Sequence, residues 1–486
     1  MLVCDASNVY NLEQKWCEKG KFIPKFYLIR GKKMVEKSIS KPYSQVFISS
    51  ARYNSKNLYR KRRKAMLKEL DSFCVFAGIP MDPGTEEAYV QIWNKMVQEP
   101  AFMFLTGINQ AGCYLLLDPR TDEEILFVPP KDPFKEFWNG KRLGFLEGDN
   151  EVARITGIKD VRPVDELMDT VVARAKKLSK GSYAYAYYFE KFKEDHNDRF
   201  RHQLLKVLKP TGIKLKSAAA LHWSLRLPLE PERIKDAEAA QAVTNNAFRM
   251  VLAEMRSFKT ERELGLKLDY EMQRESDGDL AFPTIVAGGA NACCLHYVKK
   301  DEPLKAGELV LLDFGIRIGS LHSDISRTIP VSGKFNPLQK LLYQIVLDSA
   351  LEYQKHVRPG VSLKEIGMVP WDYIMQELDS RLVKGAKGSY KLLYDKRPHG
   401  VSHFIGEQIH EGEPGTRSLD TVLKPGMLIS CEPGLYGEFK ATIAGKTYRE
   451  KIGIRIEDDL LITKDGFRNI SEDIPKSVDD LERLMK

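Results

Sequence analysis

The chain has 486 residues, 43% hydrophobic and 29% charged, with a net charge of +8. That length supports two or three domains with substantial cores, and the balance is that of a soluble globular protein, not a disordered or fibrous one. No apolar stretch approaches the roughly 20 residues of a bilayer span, and the opening MLVCDASNVYNLEQKW, with an acid and no apolar core, is not expected to be a secretory signal.

Charge is concentrated at the start. Residues 1–66 hold 16 Lys and Arg against 4 Asp and Glu, ending in the run Arg60 to Lys64. A basic segment suits anionic partners, but no nucleic-acid motif frames its aromatics, so nucleic acid is not expected as a partner. Residues 1–51 read as a basic extension without an assigned role. Next, Arg60–Leu70 has the spacing of a helix and Phe73–Ala77 that of a strand. Apolar runs at Met103–Thr106, Tyr114–Leu117 and Ile125–Pro129 read as further strands among helix-like segments, which predicts an α/β domain over 52–225. Pro228 and Pro231 mark its end. Glu232–Phe258 and Glu261–Arg274 follow as amphipathic helices opening a second domain, 226–486.

Glu308–Ile318 reads as a strand and Ser320–Pro330 as its return, bent at Ile318-Gly319. Asp313 and Asp324 are equidistant from that bend, which predicts cross-strand partners with Cβ atoms about 4.5–5.5 Å apart. Carboxylates so placed repel each other unless cations intervene, and a metal pair about 3.5–4 Å apart would fit. Lys384–Lys396 reads as a basic rim loop. Farther on come HGVSHFIGEQIH, MLISCEPGLY and GIRIEDDLLIT, carrying His403, Glu432 and Glu457. Four carboxylates and one imidazole suit manganese, iron, cobalt or zinc. Arg455, two before Glu457, shares its strand face and is placed to hold Glu457 or Asp313. His322 is read as structural. The seven cysteines (Cys4, Cys17, Cys74, Cys113, Cys293, Cys294, Cys431) form no CxxC pair. They read as reduced thiols in a cytoplasm, Cys293, Cys294 and Cys431 as small buried groups.

From about Arg52 onward the chain resembles the aminopeptidase P/prolidase family. The resemblance rests on FMFLTGINQAGCYLLLDP, LFVPPKDP, WNGKRLG, TIVAGGANACCLHYV, LVLLDFGIRIGSLHSDISRTIP and the three segments above. It implies a creatinase-type α/β N-terminal domain followed by an α+β pita-bread catalytic domain like that of methionine aminopeptidase. It implies two divalent metal ions, manganese foremost: Asp313 on one, His403 and Glu432 on the other, Asp324 and Glu457 bridging. Glu432 would also accept the proton of the attacking water. His296, His399 and His410 would line the substrate pocket, Arg455 would support the ligands, and Tyr436 would lie behind them. The implied activity is removal of an N-terminal residue preceding proline, from proline-containing peptides, by a cytoplasmic homodimer or homotetramer. Prolidase, restricted to Xaa-Pro dipeptides, and a non-catalytic peptide-binding relative are the alternatives. One departure stands out: family members usually read GLDVHD where this chain has Gly406-Glu407-Gln408-Ile409-His410-Glu411.

Overall fold

The computed structural model describes residues 56–80, 98–139, 141–188, 196–276, 278–412 and 418–485. The basic extension expected over 1–51 lies outside the described residues.

The N-terminal half is built on β1 (Cys74–Ala77), β2 (Tyr114–Asp118), β3 (Glu123–Val128), β4 (Asp160–Pro163), β5 (Tyr183–Ala186) and β6 (Lys214–Ser217). They form one sheet in the order β4-β3-β2-β1-β5-β6. Pairing is antiparallel for β1–β2 and β2–β3 and parallel for β3–β4, β1–β5 and β5–β6. Successive residues of a strand face opposite sides. Accordingly Phe73, Val75 and Ala77 join one core while Cys74 and Phe76 join the other. Both faces are covered, as an α/β layer requires.

Met103–Thr106 is not a strand. It completes the helix Pro100–Thr106, which has Pro100 at its first position, Glu99 as cap and Gly107 in the left-handed conformation at its end (φ 71°). The Pro and Gly punctuation outweighs a four-residue apolar run, which periodicity alone cannot assign.

The helices Pro231–Glu254 and Glu261–Arg274 open the second half. Among the described residues twelve strands follow: β7 (Asp279–Leu280), β8 (Ile285–Gly288), β9 (Leu309–Phe314), β10 (Ile316–Ile318), β11 (Leu321–His322), β12 (Ile325–Pro330), β13 (Ser389–Leu392), β14 (Leu428–Cys431), β15 (Gly434–Ile443), β16 (Lys446–Arg455), β17 (Asp458–Ile462) and β18 (Phe467–Asn469). They make the three-stranded sheets β11-β10-β7, β12-β9-β8, β13-β15-β16 and β14-β17-β18. One large core joins Val310, Leu312, Ile429 and Leu460 of these strands to Phe248, Val251, Leu342 and Val346 of the helices. This is the α+β domain expected.

Two local expectations change. The bend after β10 lies at Gly319-Ser320, because Ile318 pairs with Leu321 and Arg317 with His322. Asp313 therefore faces Ser326, not Asp324. The strand is also interrupted at Gly315, where a Cβ would stand 1.9 Å from the carbonyl oxygen of Ser323. No other residue fits that crossing. The Lys384–Lys396 insertion is not a loop throughout: β13 adds a third strand beside β15.

A single register unites the last part of the chain. Leu428 pairs with Leu461 through Cys431 with Asp458, and the same register resumes from Gly434 with Arg455 to Ile443 with Lys446. Glu432 and Glu457 occupy opposed positions in the gap. There each backbone turns to another partner, Glu432 N–H to the Val401 carbonyl at 2.9 Å and Glu457 N–H to that of Ser326 at 3.0 Å.

Candidate metal centre

The gap between β14–β17 and β15–β16 opens beside β9 and β12, and the five expected ligands meet there. Side-chain oxygens of Asp313, Asp324 and Glu457 lie within 4.8 Å of one another, as do donor atoms of His403, Glu432 and Glu457. A third such group is Asp324, His403 and His410. His403 Nε2 is 3.4 Å from Asp324 Oδ2 and 3.5 Å from Glu432 Oε1. Asp324 lies in the break between β11 and β12, two residues before Ser326, the residue paired with Asp313, instead of directly opposite Asp313 as expected; its carboxylate nevertheless comes within 4.8 Å of those of Asp313 and Glu457.

Electrostatics shows what this cluster is suited to hold. Burial pushes Asp324 well above the usual carboxylate range, and the charge of Asp313 adds to it. Glu457 is pushed up likewise by burial and then by Asp324, Glu432 and Asp313. Desolvation lifts Glu432 to about 7 against the pull of His403 and Arg455. Asp313 Oδ1 is buried and has no hydrogen-bond partner. Crowded carboxylates with an unused oxygen and one imidazole are the donor set of a hard or borderline divalent cation, and the residues fit such ions.

Arg455 is buried and uses three donors here. Its Nη2 donates to Asp313 Oδ2 at 2.6 Å, its Nε to Ser326 Oγ at 2.7 Å and its Nη1 to the Tyr436 hydroxyl oxygen at 3.2 Å. Ser326 in turn donates to Glu457 Oε2 at 2.9 Å. Arg455 thus grips Asp313 directly and Glu457 through Ser326. Tyr436, its phenol pushed up to about 12 by burial, also lies 3.2 Å from His399 Nε2.

The histidines form a rim. His399 Nδ1 is 3.5 Å from Glu432 Oε2, and its ring stands edge-on to Trp371 with centroids 5.3 Å apart. Burial and then Arg455 lower His399 to about 4. His410 is exposed, with its ring 4.2 Å from that of His403. His296 is exposed after the turn Gly289–Cys293, close enough for its charge to act on His399. His322, its Nδ1 2.8 Å from the Gly406 carbonyl, stays outside the cluster as expected. Cys431 is buried and Cys293 partly so, but Cys294 is exposed, contrary to its reading as a buried small group.

Residues 235–464 match metallopeptidase family M24, and residues 59–182 match the aminopeptidase P N-terminal domain. Xaa-Pro aminopeptidase 3 of Rattus norvegicus is 32% identical over 395 residues, covering 80% of this chain and 76% of the relative. The chain belongs to the Xaa-Pro aminopeptidase (aminopeptidase P) family. Among solved structures, Pseudomonas aeruginosa aminopeptidase PepP superposes with a TM-score of 0.73 at 26% identity, covering 89% of this chain and 98% of that one. Zinc-substituted Escherichia coli aminopeptidase P in complex with product gives 0.72 at 25% identity, with the same coverage. The aminopeptidase P architecture, an N-terminal domain followed by a pita-bread catalytic domain, is therefore that of this chain, and the chain is a hydrolase of the metallopeptidase class.

Several residues around this aminopeptidase P site escaped the sequence reading. Ser326 follows Asp324 by two, and Asp459 follows Glu457 by two, so strand alternation could have flagged both. Asp459 accepts the Asp324 N–H at 3.1 Å and a bond from Gln241. Ser430 accepts the His403 N–H at 3.0 Å. Glu261, fully buried, accepts from Gly288 N–H (2.8 Å), Asn291 Nδ2 (2.9 Å), the Tyr297 hydroxyl (2.9 Å) and Glu302 N–H (3.2 Å). It clamps the loop bearing His296 from a helix start 35 residues upstream, and no local pattern announces that.

Proposed function

We propose that this enzyme releases the N-terminal residue from peptides with proline in second position, using two divalent metal ions, manganese foremost. The observation that carries the reading is the overlap of two ligand groups through Glu457: Asp313 and Asp324 on one side, His403 and Glu432 on the other. In this reading the five residues would hold the two ions, with Asp324 and Glu457 serving both. The ions would supply a water of lowered pKa and polarise the scissile carbonyl.

The chain's own residues do the rest. Glu432 takes the proton of the attacking water on a carboxylate oxygen and delivers it to the imino nitrogen of the departing proline. His296 contacts the substrate near the scissile bond, while His399 and His410 line the pocket and stabilise the carbonyl oxygen as charge develops there. Arg455 holds Asp313 in its orientation. A proline imide lacks the N–H that ordinary proteases engage and has a fixed φ, so a dedicated pocket is needed, and the three imidazoles line one. The test is peptidase activity of the metal-free protein reconstituted with manganese, on an Xaa-Pro dipeptide, an Xaa-Pro-Yaa tripeptide and a Met-Ala-Yaa control. Chelator-sensitive cleavage of the tripeptide is the expected result. Cleavage of the dipeptide alone would make the enzyme a prolidase, and cleavage of none would overturn the reading.

A further inference from the structure

The departure at GEQIHE comes with a buried ionic lattice. Phe404 and Glu411 close the neck of this loop, the Glu411 N–H donating to the Phe404 carbonyl at 2.7 Å. Within it, the Glu411 carboxylate accepts the Gln408 N–H at 3.0 Å. It lies so near Gly406 that a Cβ there would stand 2.6 Å from it. Gln408 itself is exposed, while Glu407 and Glu411 are 5% and 4% exposed. The acid absent at 408 is present one residue earlier and points into the protein.

Two arginines receive these carboxylates, Arg226 (1% exposed) and Arg233 (0%). Arg233 Nη2 donates to Glu407 Oε2 at 2.6 Å, and Arg226 pairs with Glu411. Both flank the turn between the helices Ala219–Arg226 and Pro231–Glu254, and Arg233 Nη1 donates to the Arg226 carbonyl at 2.6 Å. The loop is therefore anchored to the junction of the two domains. His410, between the two anchored glutamates in sequence, is the residue this fixes beside His403.

We propose that the Glu407–Arg233 ion pair is a positioning device that holds the GEQIHE loop so that His410 faces the substrate. This rests on the pocket role assigned to His410 above. Without Glu407, Arg233 keeps one carboxylate partner, Glu230 at 3.2 Å, and without Arg233 the nearest cation to Glu407 is Arg226 Nε at 3.9 Å. Breaking the pair therefore leaves a poorly compensated buried charge, which the loop can relieve by moving to admit water. The Glu411–Arg226 pair and the contact of His322 with the Gly406 carbonyl would then hold the loop.

The experiment compares the full-length, manganese-loaded protein with Glu407→Gln and, because a buried arginine deprived of its nearer carboxylate threatens folding, with Glu407→Leu/Arg233→Met, which removes both charges. Hydrogen exchange of amides 404–412 is expected to accelerate in each while 428–431 stays unchanged, with the bound metal equivalents preserved. Unchanged exchange at 404–412 overturns the proposal whatever the activity. On an Xaa-Pro-Yaa substrate, kcat/KM is expected to fall about 10- to 100-fold, as when a supporting group of a metal site is removed. That fall should vanish when Glu407→Gln is made in a His410→Ala background. Equal losses in both backgrounds would assign the pair to something other than His410. Faster exchange at 404–412 in a protein that cleaves no proline peptide would overturn the proposed substrate and leave the loop anchor standing.

Discussion

The metal cluster and the histidine rim sit within a few ångströms of each other but are built in different ways. Asp313, Glu432 and Glu457 stand on or at the ends of paired strands, where register sets their separation and the backbone is bonded on both sides. His296, His399 and His410 stand on turns with little regular pairing. What holds the rim is buried polar anchoring at a distance: Glu261 for the His296 loop, Arg226 and Arg233 for the His410 loop, Trp371 and Tyr436 around His399. A cluster that must keep charges at fixed spacing uses strands. A rim that must shape itself to a peptide uses tethered loops.

Substitutions can break that contrast, starting with the cluster itself. Glu432→Gln keeps shape and removes the proton acceptor, so kcat is expected to drop about 10²- to 10⁴-fold with an unaltered circular-dichroism spectrum; full activity would reject Glu432 as base. Asp324→Asn is expected to leave fewer than two metal equivalents after dialysis, read by atomic absorption. Retention of both would remove Asp324 from the bridging role. Next comes Arg455→Lys, which keeps the charge and loses the three-way fork, with an expected 10- to 100-fold loss in metal affinity or activity. An unchanged metal titration would show that charge alone suffices.

The smallest effect belongs to the rim. Glu261→Gln replaces an acceptor of four bonds with an amide that must turn donors toward donors. Unpaired buried donors cost about 1–3 kcal/mol, so a lower denaturation midpoint is expected, together with a rise in KM that exceeds any fall in kcat. If kcat falls as steeply as for Glu432→Gln, the clamp acts on the chemistry and the contrast between cluster and rim dissolves.

Much of the cluster was legible because its five residues lie in long segments that resemble the family's motifs, and the strand pattern around Asp313 set beside it a second acid, Asp324. Strand periodicity singled out Arg455, which bonds Asp313 directly and reaches Glu457 through Ser326. It misplaced the bend by one residue, since Ile318, Gly319 and Ser320 carry no decisive turn chemistry and the structure puts Gly319 at φ 61°. A one-position shift of the bend moves the register by two, so Asp313 pairs with Ser326 and Asp324 falls in the break between β11 and β12, still within reach of Asp313. Met103–Thr106 failed for another reason: four apolar residues fit a strand or one helical turn equally. The rim's supports were illegible because Glu261 with Tyr297 and Arg233 with Glu407 are contacts between distant segments, and a single sequence gives no spacing rule for those.

The unbroken register between residues 428 and 461 has a consequence for how this chain can change length. Glu432 and Glu457 stay opposed as long as equal numbers of residues lie on either arm, however far the ribbon of β15 and β16 extends past them. Its tip, Ala444-Gly445, has both residues at positive φ (50° and 78°), the mirror-image turn that closes a two-residue hairpin. Lengthening or trimming in matched pairs there, or splicing a foreign segment into the turn, alters the outline of the molecule while the two carboxylates keep their places. The hairpin is a ruler fixed at one end, and its free end is where new sequence can be written.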